Sequence, residues 1–430
     1  MQTTLADFLI GSDDAEEAKS IIEKCVHCGF CTATCPTYQL VGDELDGPRG
    51  RIYLMKQVLE GNELSQSTRK HLDRCLTCRN CESTCPSGVT YGRLVDIGRV
   101  IVDERLDTAG MRRPTKERLI RWALREGLTR PRLFGAAMRV GQIMRPALPE
   151  VVRRKIPVRQ AVVPGGEVST RKHERKMLLL EGCVQPTMSP NINLATARVL
   201  DKAGVELVVA RKAGCCGAIR YHTGDHDGGL DDMRRNIDAW WPHVSNGVNT
   251  LVINASGCGA MVKEYAHLLR NDPAYAERAR VISALAKDLS EVLPELMPVL
   301  TNGIQSTSTQ EPVAYHPPCT LQHGQRLKGV VEPLLAAFGI EVRLCADSHL
   351  CCGSAGTYSV LQPEFSMRLR DDKLKKLTQT GAQTIATANI GCISHLQSGT
   401  MQPVVHWVEL IDRVLANGNG AAKVLEDKAA

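Results

Sequence analysis

Cys25, Cys28, Cys31 and Cys35 are followed directly by Pro36, and Cys75, Cys78, Cys81 and Cys85 by Pro86, in two runs of identical spacing fifty residues apart. Thiolates at such intervals are soft ligands for iron or zinc. The run Cys-x2-Cys-x2-Cys-x3-Cys-Pro is the one that serves two-cluster iron-sulfur proteins: three closely spaced thiolates wrap one 4Fe-4S cube and the fourth crosses to the other. Two-residue gaps let a tight turn aim successive sulfurs at different corners of one cube. On that rule Cys25, Cys28, Cys31 and Cys85 hold one cluster, and Cys75, Cys78, Cys81 and Cys35 hold the other. Structural zinc competes, but zinc sites usually join two separated pairs into one tetrahedron, whereas here four cysteines fall within eleven residues, twice. Two cubes with crossed ligands lie close together, which makes a relay for single electrons.

A second cysteine pattern follows. Cys183 is separated by 31 residues from Cys215-Cys216-Gly217 and the pair by 41 from Cys258; Cys319 is separated by 31 from Cys351-Cys352-Gly353 and that pair by 39 from Cys392. Cys319, Cys351, Cys352 and Cys392, with His395 as a further ligand, form a candidate site for a third iron-sulfur cluster or another metal, because imidazole can replace thiolate on iron. The set Cys183, Cys215, Cys216 and Cys258 has only the thioether of Met261 at the matching position. The plainer reading of both sets is buried cysteines lining an interface between two pseudo-symmetric lobes; a redox-active thiol pair is another.

These residues have to be positioned by the elements around them. Gly50–Glu60, between the first two motifs, has apolar positions at helical spacing. In the later region an apolar strand at Met177–Leu180 runs into Cys183, a helix covers Met233–Trp241, and a strand Thr250–Asn254 leads to Cys258. The order recurs as a strand near Val313–Tyr315, helices at Val330–Phe338 and Phe365–Leu377, and a strand Thr384–Ala388. Such a duplication predicts two similar lobes with mainly parallel sheets and cysteines in loops at strand ends. The expected class is α+β multidomain: a helical ferredoxin-like domain over 1–110 with two 4Fe-4S clusters, a basic helical connector over 111–175, and cysteine-rich α/β repeats over 176–310 and 311–430.

The 430 residues suffice for domains of this number. Seventeen cysteines in a chain whose start shows no basic, then apolar, leader point to the reducing cytoplasm, where metal binding explains thiols better than disulfides do. No apolar run approaches the ~18 residues of a spanning helix. The net charge of +6 hides an asymmetry, since 111–176 holds 18 Lys and Arg against five acidic residues. There Arg112, Arg113, Lys116, Arg118, Arg121, Arg125, Arg130 and Arg132 lie among Leu119, Trp122, Leu124 and Leu128. A basic amphipathic helix of this kind suits an anionic membrane surface or an acidic partner, with a solvated face as the plain alternative. Few aromatics and no reader motif argue against nucleic acid. No Gly-x-Gly-x-x-Gly follows a strand, so the chain has no evident dinucleotide or flavin fold.

The cysteine repeat resembles that of heterodisulfide reductase subunits and of iron-sulfur subunits of respiratory dehydrogenases. In the fullest family form the last cysteine opens a Cys-x2-Cys, and Met261 and His395 depart from it. Cys25–Tyr38, Gly47-Pro48-Arg49-Gly50-Arg51, Cys75–Cys81, Asn236–Pro242, Ala255–Gly259 and Asp347–Gly356 together make the chain similar to iron-sulfur subunits of bacterial glycolate oxidases, over nearly its whole length. The resemblance implies flavoprotein partners carrying FAD that oxidise glycolate to glyoxylate and D-lactate to pyruvate. It also implies peripheral association with the cytoplasmic side of the inner membrane, and a quinone or similar carrier as acceptor. A lactate or glycerol-3-phosphate dehydrogenase subunit and a thiol enzyme of heterodisulfide reductase type are the alternatives.

Overall fold

Ser12 opens the first long helix, Asp13–Glu23, by accepting from Ala15 N at 3.3 Å, and Asp13, Asp14 and Glu16 complement its N-terminal dipole. Its buried positions, Ala15, Ala18, Ile21 and Ile22, lie on one helical face. That face packs with the helices Pro48–Leu59, Gln66–Asp73 and Tyr91–Thr108 around one apolar core. Cys25, Cys75 and Cys81 are buried in the same core, so the cysteine loops are anchored where helices meet. The computed structural model describes residues 1–149, 153, 156–158, 171–302 and 311–426, with side chains to 417.

Two parallel four-stranded sheets follow. The first joins β1 (Arg175–Leu179), β2 (Val205–Val209), β3 (Leu251–Ile253) and β4 (Ala286–Asp288) in the order β2-β1-β3-β4. The second joins β5 (Val313–His316), β6 (Val342–Leu344), β7 (Thr384–Thr387) and β8 (Val404–His406) in the order β6-β5-β7-β8. The identical order is the expected duplication, and helices cover the sheets as parallel strands require. One apolar core runs from Met177 through Leu289–Leu300 to Trp407 and Leu415, so the lobes share an interior. One expectation is corrected. Cys183, Cys215, Cys216, Cys351 and Cys352 do lie in loops, but Cys319 opens the helical turn that continues through Thr320–Gly324, and Cys258 and Cys392 sit in the first turns of the helices Ser256–Lys263 and Ile390–Gln397, because β3 and β7 lead almost directly into those helices.

The basic stretch forms two helices, Thr115–Leu128 and Pro131–Met144, divided at Pro131, which suits a first helical position. Part of its charge is consumed inside the molecule. Arg113 binds Asp73, Asp103 and Glu117, and Arg121 binds Asp73 and Glu117. Arg125 donates to Thr223 of the first lobe at 3.0 Å. Leu119 and Trp122 stay in water, each 61% exposed. The rest of the expected connector, 150–152, 154–155 and 159–170, lies outside the described residues. The N-terminal domain is tied to the first lobe by Arg79 and Arg93, which clasp Glu264 at 2.9 and 2.8 Å. Burial raises the Glu264 carboxyl, but the two guanidinium groups outweigh it and hold the group below its ordinary value.

Candidate metal centres

The two N-terminal loops share an unusual backbone. His27 and Thr77, and likewise Gly29 and Arg79, occupy matching places in the two motifs, and all four have positive φ, between 52° and 85°. Left-handed conformation at three non-glycine residues is uncommon and costs energy. It lets each short loop double back so that its sulfurs point inward, the tight turn that two-residue gaps call for.

Two cavities result. Cys25, Cys28, Cys31, Cys81 and Cys85 line one. Cys35, Cys75, Cys78 and Cys81 line the other. The fourth cysteine of each motif thus lines a cavity with the first three of the other motif, and Cys81 lines both. Tyr91 lines both cavities, and its buried hydroxyl has no hydrogen-bond partner. Thr77 N donates to Cys75 Sγ at 3.3 Å. Donor sets made of thiols, an amide aimed at sulfur and an orphaned hydroxyl fit sulfur-ligated metal clusters. Burial pushes the Cys31 thiol up to about 11 and holds Cys78 and Cys81 well above the ordinary thiol range. Metal uptake therefore has to displace protons here.

Arg51 and Asp46 belong to this centre although spacing did not single them out as ligands or partners. Arg51 is 1% exposed and lines the second cavity. It donates to His71 O at 2.7 Å and to Thr37 Oγ1 at 3.2 Å, and it pairs with the fully buried Asp46 at 3.4 Å. Asp46 also binds His71 and Arg74. The signal in the sequence is the Gly47–Arg51 segment, but its meaning depends on burial.

In the second lobe the four thiols form a string. Cys319 and Cys351 Sγ lie 3.8 Å apart, and the ligand atoms of Cys352, Cys392 and His316 all lie within 4.8 Å of one another. His395 does not join them. Its Nε2 turns instead to Ser366, 3.1 Å from Oγ and 3.2 Å from the carbonyl oxygen, because the helix carrying it packs on Pro363–Thr378. The imidazole beside the thiols precedes the first cysteine rather than following the last. Cys183, Cys215, Cys216 and Cys258 are also brought together in the first lobe, and hydrogen bonding among neighbouring thiols, with burial, raises the first three.

The glycine after each cysteine pair has a physical cause. Gly217 and Gly353 have φ of +89° and +87°, and a Cβ on them would stand 2.7 Å from Gly229 O and 2.5 Å from Ser366 O. Gly353→Ala is expected to destabilise the protein by more than about 1 kcal/mol, since the conformation and the space both exclude a side chain. A lowered thermal midpoint would show it; an unchanged one would contradict this reading of the motif.

Comparison with known proteins adds the family. Residues 21–89 match the model of a 4Fe-4S dicluster domain, and residues 177–263 and 313–397 match that of a cysteine-rich domain. Over 415 residues the chain is 51% identical to the glycolate oxidase iron-sulfur subunit of Escherichia coli strain K12, spanning 96% of this chain and 99% of that one. It is 33% identical over 401 residues to the probable glycolate oxidase iron-sulfur subunit of Bacillus subtilis strain 168, spanning 87% and 88%. Lactate utilization protein A of Bacillus pumilus is 28% identical over 222 residues, 51% of this chain and 90% of that protein.

Proposed function

The chain belongs to the family of glycolate oxidase iron-sulfur subunits, and on that premise we propose that it carries electrons from a flavoprotein partner that oxidises glycolate to glyoxylate, and D-lactate to pyruvate. The observation that carries this reading is the pair of neighbouring thiol cavities. Cys25, Cys28, Cys31 and Cys85 hold one 4Fe-4S cluster, and Cys75, Cys78, Cys81 and Cys35 the other. When bound, such clusters take up and release single electrons. Oxidation of a hydroxy acid releases two, so the flavin that divides them is on the partner.

The residues of this chain give the relay a direction. Cys28 is exposed, and Val26 and Phe30 beside it are 68% and 62% exposed, an apolar edge suited to the flavoprotein. Cys78 is instead half-buried, packed against the apolar cluster that includes Cys319 and Cys351 of the second lobe. Electrons enter at the first cavity and leave through the second toward a quinone or similar carrier. Leu119 and Trp122, exposed among arginines, support peripheral contact with the cytoplasmic face of the inner membrane. Among the described residues no helix is long and apolar enough to cross it.

The lactate utilization relatives favour a second reading, a subunit serving lactate. Anaerobic purification of the chain with its flavoprotein partners, followed by addition of each hydroxy acid, separates the two. Glycolate is expected to bleach the cluster absorption and to give the EPR signals of reduced clusters. Reduction by lactate and not by glycolate would replace the first reading with the second.

A further inference from the structure

The N-terminal domain and the first lobe meet across a cleft that electron transfer alone does not explain. Its walls carry two imidazole–carboxylate pairs: His222 Nδ1 lies 3.0 Å from Asp96, and His267 Nε2 lies 2.9 Å from Glu17. The carboxylates belong to the helices Tyr91–Thr108 and Asp13–Glu23 of the domain, and the imidazoles belong to the lobe. Burial raises the Asp96 carboxyl, but His222 and Arg99 outweigh it and hold the group below its ordinary value, so it stays charged. A carboxylate on one ring nitrogen steadies an imidazolium, so each pair can hold a proton near neutral pH and pass it on. Among the groups lining the cleft, Asp14, Glu17, Asp96 and Glu264 outnumber Arg79, Arg93 and Arg270 by one, which leaves a counter-charge for an added proton. His222 is half-buried, and solvent can recharge it.

The same cleft adjoins the electron path. Arg79 lines both it and the cavity of Cys35, Cys75, Cys78 and Cys81. Arg99 makes a second link: it lies 3.7 Å from Asp96 and donates to Thr77 Oγ1 at 3.2 Å and to Cys75 O at 2.7 Å. Proton-holding groups thus stand one side chain away from the second thiol cavity. A protein carrier of single electrons needs no protons and docks on a surface. An acceptor received in a cleft of proton donors is one whose reduction consumes protons.

The remaining walls suit a flat ring. Tyr221, stacked on His226 at 3.9 Å, is joined there by Ile97, Met261 and Leu268. The space, about 410 Å³ and partly open to solvent, compares with about 310 Å³ in the second thiol cavity. Thr223, next to His222, binds Arg125 of the helix that exposes Leu119 and Trp122, so the cleft adjoins an apolar face fit for a lipid-soluble molecule. The duplicated lobe has no counterpart, for the lobes have diverged place by place. Leu180 precedes Cys183 by three residues as His316 precedes Cys319, and Tyr358 and Met401 follow Cys352 and Cys392 by six and nine as His222 and His267 follow Cys216 and Cys258.

We propose that this cleft binds the head group of a quinone, and that His222 and His267 donate the protons of its reduction. The proposal rests on the reading that Cys35, Cys75, Cys78 and Cys81 hold a cluster. That cluster gives up two electrons, one at a time. Each carbonyl oxygen of the quinone gains one proton, an N–H bond of each imidazolium breaking as an O–H bond forms, and the quinol leaves while solvent recharges the imidazoles.

The test uses the full chain, prepared anaerobically and reduced with dithionite so that no flavoprotein is needed, then mixed rapidly with decylubiquinone or with ferricyanide while cluster absorption is followed. Ferricyanide takes single electrons without protons. H222Q and H267Q are each expected to slow reoxidation by the quinone about a hundredfold and to leave reoxidation by ferricyanide at the wild-type rate. The wild-type rate with quinone is expected to fall as pH rises and the imidazolium is lost, and that with ferricyanide to stay level. Failure of the quinone to reoxidise the wild type, wild-type rates with quinone in both variants, or equal losses with the two acceptors would overturn the proposal. Reoxidation by quinone in a chain that no hydroxy acid reduces through its partners would sink the functional reading above and leave this one standing.

Discussion

Cys85→Ala is expected to remove about four irons per chain and the same spectroscopic centre that Cys25→Ala removes, even though Cys85 belongs to the second motif. The reason is geometric: Cys85 lines the cavity of Cys25, Cys28 and Cys31, and Cys35 lines that of Cys75, Cys78 and Cys81. Cys35→Ala should correspondingly share its lost signal with Cys75→Ala. Substrate-driven reduction of a downstream acceptor should fall to background in all four variants, since each interrupts the relay. EPR of the reduced proteins decides the matter. If Cys85→Ala and Cys75→Ala lose one and the same centre, each motif holds its own cluster and the crossed assignment is wrong.

Asp46→Asn is expected to destabilise the N-terminal domain by about 3–5 kcal/mol, the cost of leaving a buried partner charge uncompensated. Arg51 cannot reach water once its carboxylate is gone, because both side chains are almost fully enclosed. Replacing both members with apolar residues, Asp46→Leu with Arg51→Met, should recover part of the loss. Arg51→Met has a second consequence. Its guanidinium lines the second cavity, and a fixed positive charge favours the added electron of a reduced cluster. The potential of that centre should drop in the variant while the centre at Cys25 holds its value. Thermal unfolding and an EPR-monitored redox titration check the two claims; equal shifts at both centres would refute the local electrostatic role.

The chemistry-bearing cysteines were legible because their spacing is a property of the covalent chain, and the same spacing foretold the doubled-back loops at His27 and Thr77. The parallel lobes could be read from apolar runs such as Met177–Leu180 and from their recurrence. Strands β4, β6 and β8, three or so residues each, carry too little pattern to be seen without their neighbours in the sheet. His395 was drawn in by its position after Cys392, where a further ligand usually falls. The position of His316 depends instead on where β5 ends against β7, and no spacing rule reports that. Arg51 looks like a surface residue in one dimension, and only its burial against Asp46 shows that it answers to a negative charge inside the molecule.

The seam between the lobes has a consequence for how such a molecule can arise. Ser256 N, just past β3, donates to Ala388 O at the end of β7, and His406 of the second lobe lies 2.8 Å from Asn254 O at the end of β3. The first of these contacts joins the matching ends of β3 and β7, as a two-fold homodimer of single lobes would. Joining the two copies in one chain turns a concentration-dependent association into an intramolecular one. It also lifts the requirement that both halves keep the same residues. A dimer would have had to carry either two histidines or two leucines at the place of His316 and Leu180, whereas the fused chain is free to keep one of each.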